Sequence, residues 1–166
     1  MILPLAASLP LAAAIALAAG SPLAPLPLGA LPADLLPLVR ELQRHGFEVK
    51  LAVPPVRGVY GLYQARERRI WVAPITFELG IARQTFLHEA THAVQSCPNG
   101  VVAALGWQLP MAPVVRQQIG GILTTSYLGN KATEQEAFVL QGQPDAVPRL
   151  LAALGKRCPL PGPLSR

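Results

Sequence analysis

The chain has 166 residues, 51% of them hydrophobic and only 14% charged, with a formal net charge of +5. That length suits one domain with a self-supporting core and argues against two. The basic balance does not make a nucleic-acid binder: the basic residues are scattered, their one tight group (Arg66, Arg68, Arg69) is interrupted by Glu67, and no nucleic-acid motif accompanies them.

No charge occurs from Ile2 to Ala19, and the first in the chain is Asp34. Residues 1–20 therefore have the composition of a signal peptide or membrane anchor. Ala16-Leu17-Ala18 and Ala18-Ala19-Gly20 both offer small residues for signal cleavage. No Lys or Arg precedes the apolar stretch, and Pro4 and Pro10 interrupt it. The alternative is an uncleaved anchor giving membrane association, since its 18 uncharged residues lie near the spanning threshold. Both readings predict export: periplasmic, extracellular or membrane-anchored. In an oxidising compartment Cys97 and Cys158 are a candidate disulfide, tying the C-terminal tail to the end of the helix that carries His88 and His92.

Residues 21–33 are rich in proline and small residues, which predicts an extended linker, with order beginning near Asp34. Leu35, Leu38, Val39 and Leu42 then recur at helical spacing and Gly46 follows as a stop, predicting a first amphipathic helix over 34–45. His45 at its end is a C-terminal cation. Residues 47–53 alternate as a half-buried strand does and end at Pro54-Pro55. Residues 58–74 read as two further strands joined by a charged turn at Arg66–Arg69. From about Thr76 a buried helix is expected to run to Ser96, with Glu78 in its first turn. Residues 101–113 are irregular, although Val101–Trp107 could form a short helix. Helices are expected over 114–126, weakened by Gly120-Gly121, over 131–142, and over 145–158. The order predicts an α+β domain over 34–158: a small antiparallel or mixed sheet, a buried helix, further helices, then a tail over 159–166.

The chemistry concentrates in His88-Glu89-Ala90-Thr91-His92. Residues four apart on a helix differ by about 40° around its axis, so both imidazoles lie on one face, one turn apart. Two imidazoles so placed can bind one Zn²⁺. Glu89 points partly aside, poorly placed as a ligand and well placed as a base for an activated water. Chance would produce this pattern in roughly two sequences per thousand of this composition. In a largely apolar helix, two histidines and a glutamate without partners would cost several kcal/mol, and a metal supplies the partner. A third ligand is needed, and Glu134 and Glu136 are the candidates. Being two apart they lie about 200° around a helix and cannot both face one metal. Gln95 and Pro98 stand where the metzincin continuation needs glycine and histidine, which removes that branch. Cys97 reads as a disulfide partner or helix-end residue.

Over roughly residues 58–141 the chain resembles the gluzincin-type zinc metallopeptidases, whose second helix carries a ligand glutamate followed three residues later by a small residue, as Glu134 is by Ala137. The resemblance implies a zincin-like fold, peptide-bond hydrolysis of a peptide or protein substrate, Zn²⁺ held by His88, His92 and Glu134 with Glu136 in reserve, and Glu89 as general base. It also implies a substrate-binding edge in the strand leading into the motif helix, here Arg69, Ile70, Trp71, Val72 and Ala73. The chain departs from the family at Phe138, where many members carry an Asp or Asn supporting a ligand histidine, so that support must come from elsewhere. Tyr127 is a weaker candidate as a transition-state donor. Trp71 and Trp107 are expected in the core or the cleft wall. The alternative from another class is a catalytically silent zinc-binding envelope or interaction protein on the same fold.

Overall fold

The computed structural model describes residues 24–111, 113, 116–117, 119–120 and 130–160. The apolar segment over 1–20 and Tyr127 lie outside the described residues. No helix among the described residues is long and apolar enough to cross a membrane.

Helix α1 spans Leu36–Arg44, with Pro37 in its first turn, and buries Leu38, Val39 and Leu42 along one stripe. It ends as its sequence requires. Gly46 takes φ 81°, the Gly46 N–H donates to Gln43 O and the Phe47 N–H to Leu42 O, so two last-turn carbonyls are satisfied by the reversing chain. His45 caps this end and lies buried, with Nε2 3.2 Å from Glu41 Oε1.

Strands β1 (Glu48–Lys50), β2 (Gly61–Gln64) and β3 (Arg69–Val72) form one mixed sheet in the order β1-β3-β2. β1 runs parallel to β3, pairing Val49 with Ile70, and β2 antiparallel to it, pairing Tyr63 with Ile70. The β2–β3 turn places Arg68 at φ 50° and passes its guanidinium over the Phe47 ring. Along β3 Ile70 and Val72 are fully buried while Arg69 and Trp71 are partly exposed, the two-residue period of a sheet covered on one face.

Helix α2 is a single turn, Ile75–Glu78, and α3 spans Ala82–Gln95. The continuous helix expected from Thr76 is thus broken. Gly80 at φ 69° repeats the Gly46 device: the Gly80 N–H donates to Phe77 O and the Ile81 N–H to Thr76 O, closing α2 before α3 starts. Glu78 therefore belongs to α2. Helix α4 spans Lys131–Leu140, capped by the Asn130 side chain accepting from the Ala132 N–H, and α5 spans Ala146–Arg157. Residues 101–111 are irregular, and the described residues 113, 116–117 and 119–120 are helical.

The protein is an α+β fold in which α3 is the hub, packed against β2, β3, α4 and α5. Phe86, Leu87, Ala90 and Val94 join Ile70, Val72, Leu140, Leu150 and Leu154 in one core.

Two expectations are corrected here. The linker is not free of the domain: Leu31 is buried, two 3-10 turns (Leu28–Ala30 and Ala33–Leu35) lead into α1, and the Leu26 N–H donates to Leu51 O. Burying these leucines offsets the ordering cost that proline-rich composition alone suggests would not be met. The strand expected as a substrate-binding edge, Arg69–Ala73, is the central strand, both of its sides taken by β1 and β2. The sheet edge beside α3 is β2.

Cys97, just past α3, and Cys158, just past α5, form a disulfide across a sequence separation of 61 residues. Replacing both by alanine is expected to cost about 2–4 kcal/mol by releasing the unfolded chain. Urea denaturation of the oxidised parent and the double variant measures this, and an unchanged midpoint would contradict it.

Candidate metal centre

Helix α3 carries His88, Glu89 and His92 on the face turned toward β2 and α4, and all three are buried. His88 Nε2 and His92 Nε2 lie 3.2 Å apart. Helix α4 brings Glu134 to them, with Oε2 3.3 Å from His88 Nε2 and Oε1 3.2 Å from His92 Nε2. Among the described residues Oε2 has no hydrogen-bond partner. The group His88, His92, Glu134 can hold a metal ion, its ligand atoms all lying within 4.8 Å of one another.

Of the two candidate glutamates, only Glu134 reaches the histidines. Glu136 points to the other side of α4, where Oε2 accepts from the Leu105 N–H at 2.6 Å and from Gln95 Nε2 at 2.8 Å, and Oε1 from the Trp107 N–H at 2.8 Å. It pins the 105–107 loop, and the divergence is the helical angle between residues two apart.

The Nδ1 atoms are engaged as well. His92 Nδ1 lies 2.8 Å from Gln95 Oε1, and His88 Nδ1 3.2 Å from Gln141 Oε1. With each Nδ1 donating to an amide oxygen, both Nε2 lone pairs converge on the Glu134 carboxylate. Acceptors facing one another in a buried site call for a cation or protons between them. Phe138, where the resembled family keeps a polar supporting residue, packs its ring against His88 at 4.5 Å between centroids.

Glu89 lines the same cleft, a space of about 390 Å³ bounded by Val59, Gly61, Leu62 and Tyr63 on one side and by Val102, Asn130 and Thr133 on the other. It is 8% exposed. Burial pushes its carboxyl above the usual range, the charges of His88 and His92 pull it back, Glu134 adds to the rise and the Tyr63 backbone opposes it. β2 passes directly over it. A Cβ on Gly61 would stand 2.5 Å from Glu89 Oε1 and 2.7 Å from Thr85 Cγ2, so only glycine lets the strand lie this close to the carboxylate. Gly61→Ala is expected to displace Glu89 or the strand at a cost of about 1–3 kcal/mol. The control is Gly29→Ala, whose Cβ would meet nothing within 4 Å. Equal urea midpoints for the two variants would refute the close approach.

Electrostatics among these side chains carry a sign that can be measured. Burial raises the Glu134 carboxyl, but the His88 and His92 imidazoles that face it outweigh burial and hold the pKa down to about 2 from an ordinary 4.5. Burial lowers the His92 imidazole, but Glu134 outweighs it and the pKa ends above the ordinary 6.5. Glu134 thus contributes stability that is complete above its unfolded value and lost as pH falls toward 2. His92 contributes stability that is complete below 6.5 and lost as pH rises through its raised pKa. Thermal melts in chelator should therefore show this contribution greatest in mild acid and falling on the alkaline side. A divalent metal that takes the place of the proton should reverse the alkaline loss. Melting temperatures insensitive to chelator above neutral pH would refute this.

Of the site residues expected from sequence, His88, Glu89, His92 and Glu134 come together. Glu136 does not, and Cys97 forms the expected disulfide with Cys158. Gly61, Gln95 and Gln141 were missed. Gln95 lies three residues after His92 on one helix, a spacing that brings side chains together, and this was the available signal for it. Gly61 and Gln141 approach the site from other elements, and nothing local marks them. No curated protein and no solved structure matches the chain. Residues 60–158, from the residue before β2 to the second cysteine of the disulfide, match the family described as Domain of unknown function (DUF8637), and the chain belongs to that family.

Proposed function

We propose that the protein is an exported zinc metallopeptidase with a zincin-like arrangement, His88, His92 and Glu134 holding the ion and Glu89 serving as general base. The observation that carries this reading is the convergence of two imidazoles on one carboxylate. The two Nε2 atoms stand 3.2 Å apart, with Glu134 Oε1 3.2 Å from His92 Nε2 and Glu134 Oε2 3.3 Å from His88 Nε2. Two ligands of a tetrahedral zinc with bonds of about 2.0–2.1 Å stand about 3.3 Å apart. Two imidazoles and one carboxylate are also the donor set of hydrolytic zinc sites that keep a position open for water. When bound, Zn²⁺ supplies Lewis acidity, polarising a carbonyl and acidifying water.

The remaining chemistry belongs to side chains of this protein. Glu89, its carboxyl raised by burial, accepts a proton from the attacking water and returns it to the leaving amine. An extended peptide would pair with the outer edge of β2, unpaired among the described residues, whose Gly61, Leu62 and Tyr63 line the cleft. Export is supported by the disulfide and by the uncharged N-terminal segment, read as a signal peptide or anchor.

One observation favours a second reading, a zinc-stabilised interaction protein without turnover. Glu89 lies so close under the β2 backbone that little of it is open to a substrate. The two readings separate in one assay. Purified protein with stoichiometric Zn²⁺ is incubated with a broad peptide library and the products are read by mass spectrometry. Cleavage that disappears on chelation supports the peptidase. Bound zinc with no cleavage supports the interaction protein, and absence of divalent-metal binding overturns both.

A further inference from the structure

We infer that Gln95, oriented by Glu136, is the positioning residue that fixes His92 for ligation through Nε2. The inference rests on the reading of His88, His92 and Glu134 as a metal centre and extends it to the residues behind one ligand.

A glutamine amide has two ends, and its surroundings decide which faces which neighbour. Gln95 Nε2 has two acceptors, Glu136 Oε2 at 2.8 Å and the Thr133 carbonyl at 3.0 Å. Turning the amide over would set its oxygen against a carboxylate and a carbonyl, three acceptors in a buried site with no donor among them. The NH₂ is therefore held toward α4 and Oε1 is held toward His92 Nδ1, 2.8 Å away. An amide oxygen only accepts, so Nδ1 must carry the proton. Nε2 is left with its lone pair directed at His88 and Glu134, as ligation requires.

Glu136 is itself fixed, since the Leu105 and Trp107 N–H groups hold both of its oxygens. The line of contacts runs from the 105–107 loop through Glu136 and Gln95 to His92. It also gives Glu136 and Gln95, both buried and outside the ligand triangle, a common purpose. His88 has a looser counterpart in Gln141, at 3.2 Å and on a partly exposed residue. The tight, fully buried support is specific to His92.

The test uses nuclear magnetic resonance on the ¹⁵N-labelled full chain, read without metal, together with zinc affinity by chelator competition. Without metal, the His92 Nδ1 proton of the parent should be visible and slow to exchange. In Gln95→Met, of similar length but with no acceptor, that proton should exchange too fast to observe while the His88 ring signals stay in place. Zinc affinity should fall about 10–100-fold, the usual effect of losing a hydrogen-bond partner behind a ligand histidine. Gln95→Glu keeps an acceptor and can share one proton with Glu136, so the Nδ1 signal should return. Glu136→Gln should move both readouts in the direction of Gln95→Met. The inference is overturned if the Nδ1 proton survives in Gln95→Met, or if zinc affinity there stays within about threefold of the parent. Should the parent bind no zinc, the metal centre fails, and the proton signals in the three variants still decide whether Gln95 and Glu136 orient His92.

Discussion

Glu89→Gln is expected to abolish zinc-dependent peptide hydrolysis while leaving zinc bound. Loss of a positioned general base typically costs about 10²–10⁴-fold in rate. Gln is nearly the same size, so the contact under Gly61 and the packing of α3 are preserved. What disappears is the capacity to take a proton. Zinc affinity should stay within a few-fold of the parent, because Glu89 is not in the ligand triangle. Hydrolysis in the variant at the parental rate would remove Glu89 from the mechanism. A parent without hydrolysis on any peptide, with one zinc per chain, would shift the reading to the interaction protein.

The second large effect separates two glutamates that the sequence places two residues apart. Glu134→Ala should lose zinc by more than the roughly 10–100-fold that follows loss of a supporting hydrogen bond, because it removes a ligand. Without metal the variant also frees two histidines of the carboxylate they face. Glu136→Ala should act mainly through the fold. It strips partners from the Leu105 and Trp107 N–H groups and from Gln95 Nε2. Each buried donor left unsatisfied costs about 1–3 kcal/mol. The expected outcome is a low urea midpoint with zinc binding weakened but retained. Metal content per chain, measured beside urea denaturation, distinguishes the two. If Glu136→Ala empties the site and Glu134→Ala leaves it filled, the ligand assignment is reversed.

Much of this protein was legible in the one-dimensional pattern, and the reasons are local. The stripe Leu35, Leu38, Val39, Leu42 with Gly46 after it predicts α1 because a helix buries one face and needs a residue tolerant of positive φ to end it. Gly80 has the same meaning, and reading through it joined α2 to α3. The histidine pair with Glu89 was legible because three residues within five positions are brought together by helical geometry alone. For the same reason Gln95 could have been paired with His92, yet its role as an oriented acceptor depends on Glu136 and Thr133, which come from another helix.

By itself, then, the sequence determined α1, α4, α5 and the three strands, the placing of His88, Glu89 and His92 on one helix, and a cysteine pair able to close. These follow from periodicity, from backbone preference and from contacts between near neighbours, all short-range terms. Only the tertiary structure decided that Glu134 reaches the histidines while Glu136 turns to the 105–107 loop, and that β3 is the centre of the sheet and β2 its edge. It also decided that the leucines of residues 24–33 pack on the domain and that Gly61 lies over Glu89. Those outcomes depend on how elements far apart in sequence dock. Docking is set by burial summed over α3 and its neighbours, a quantity that no stretch of the sequence carries alone.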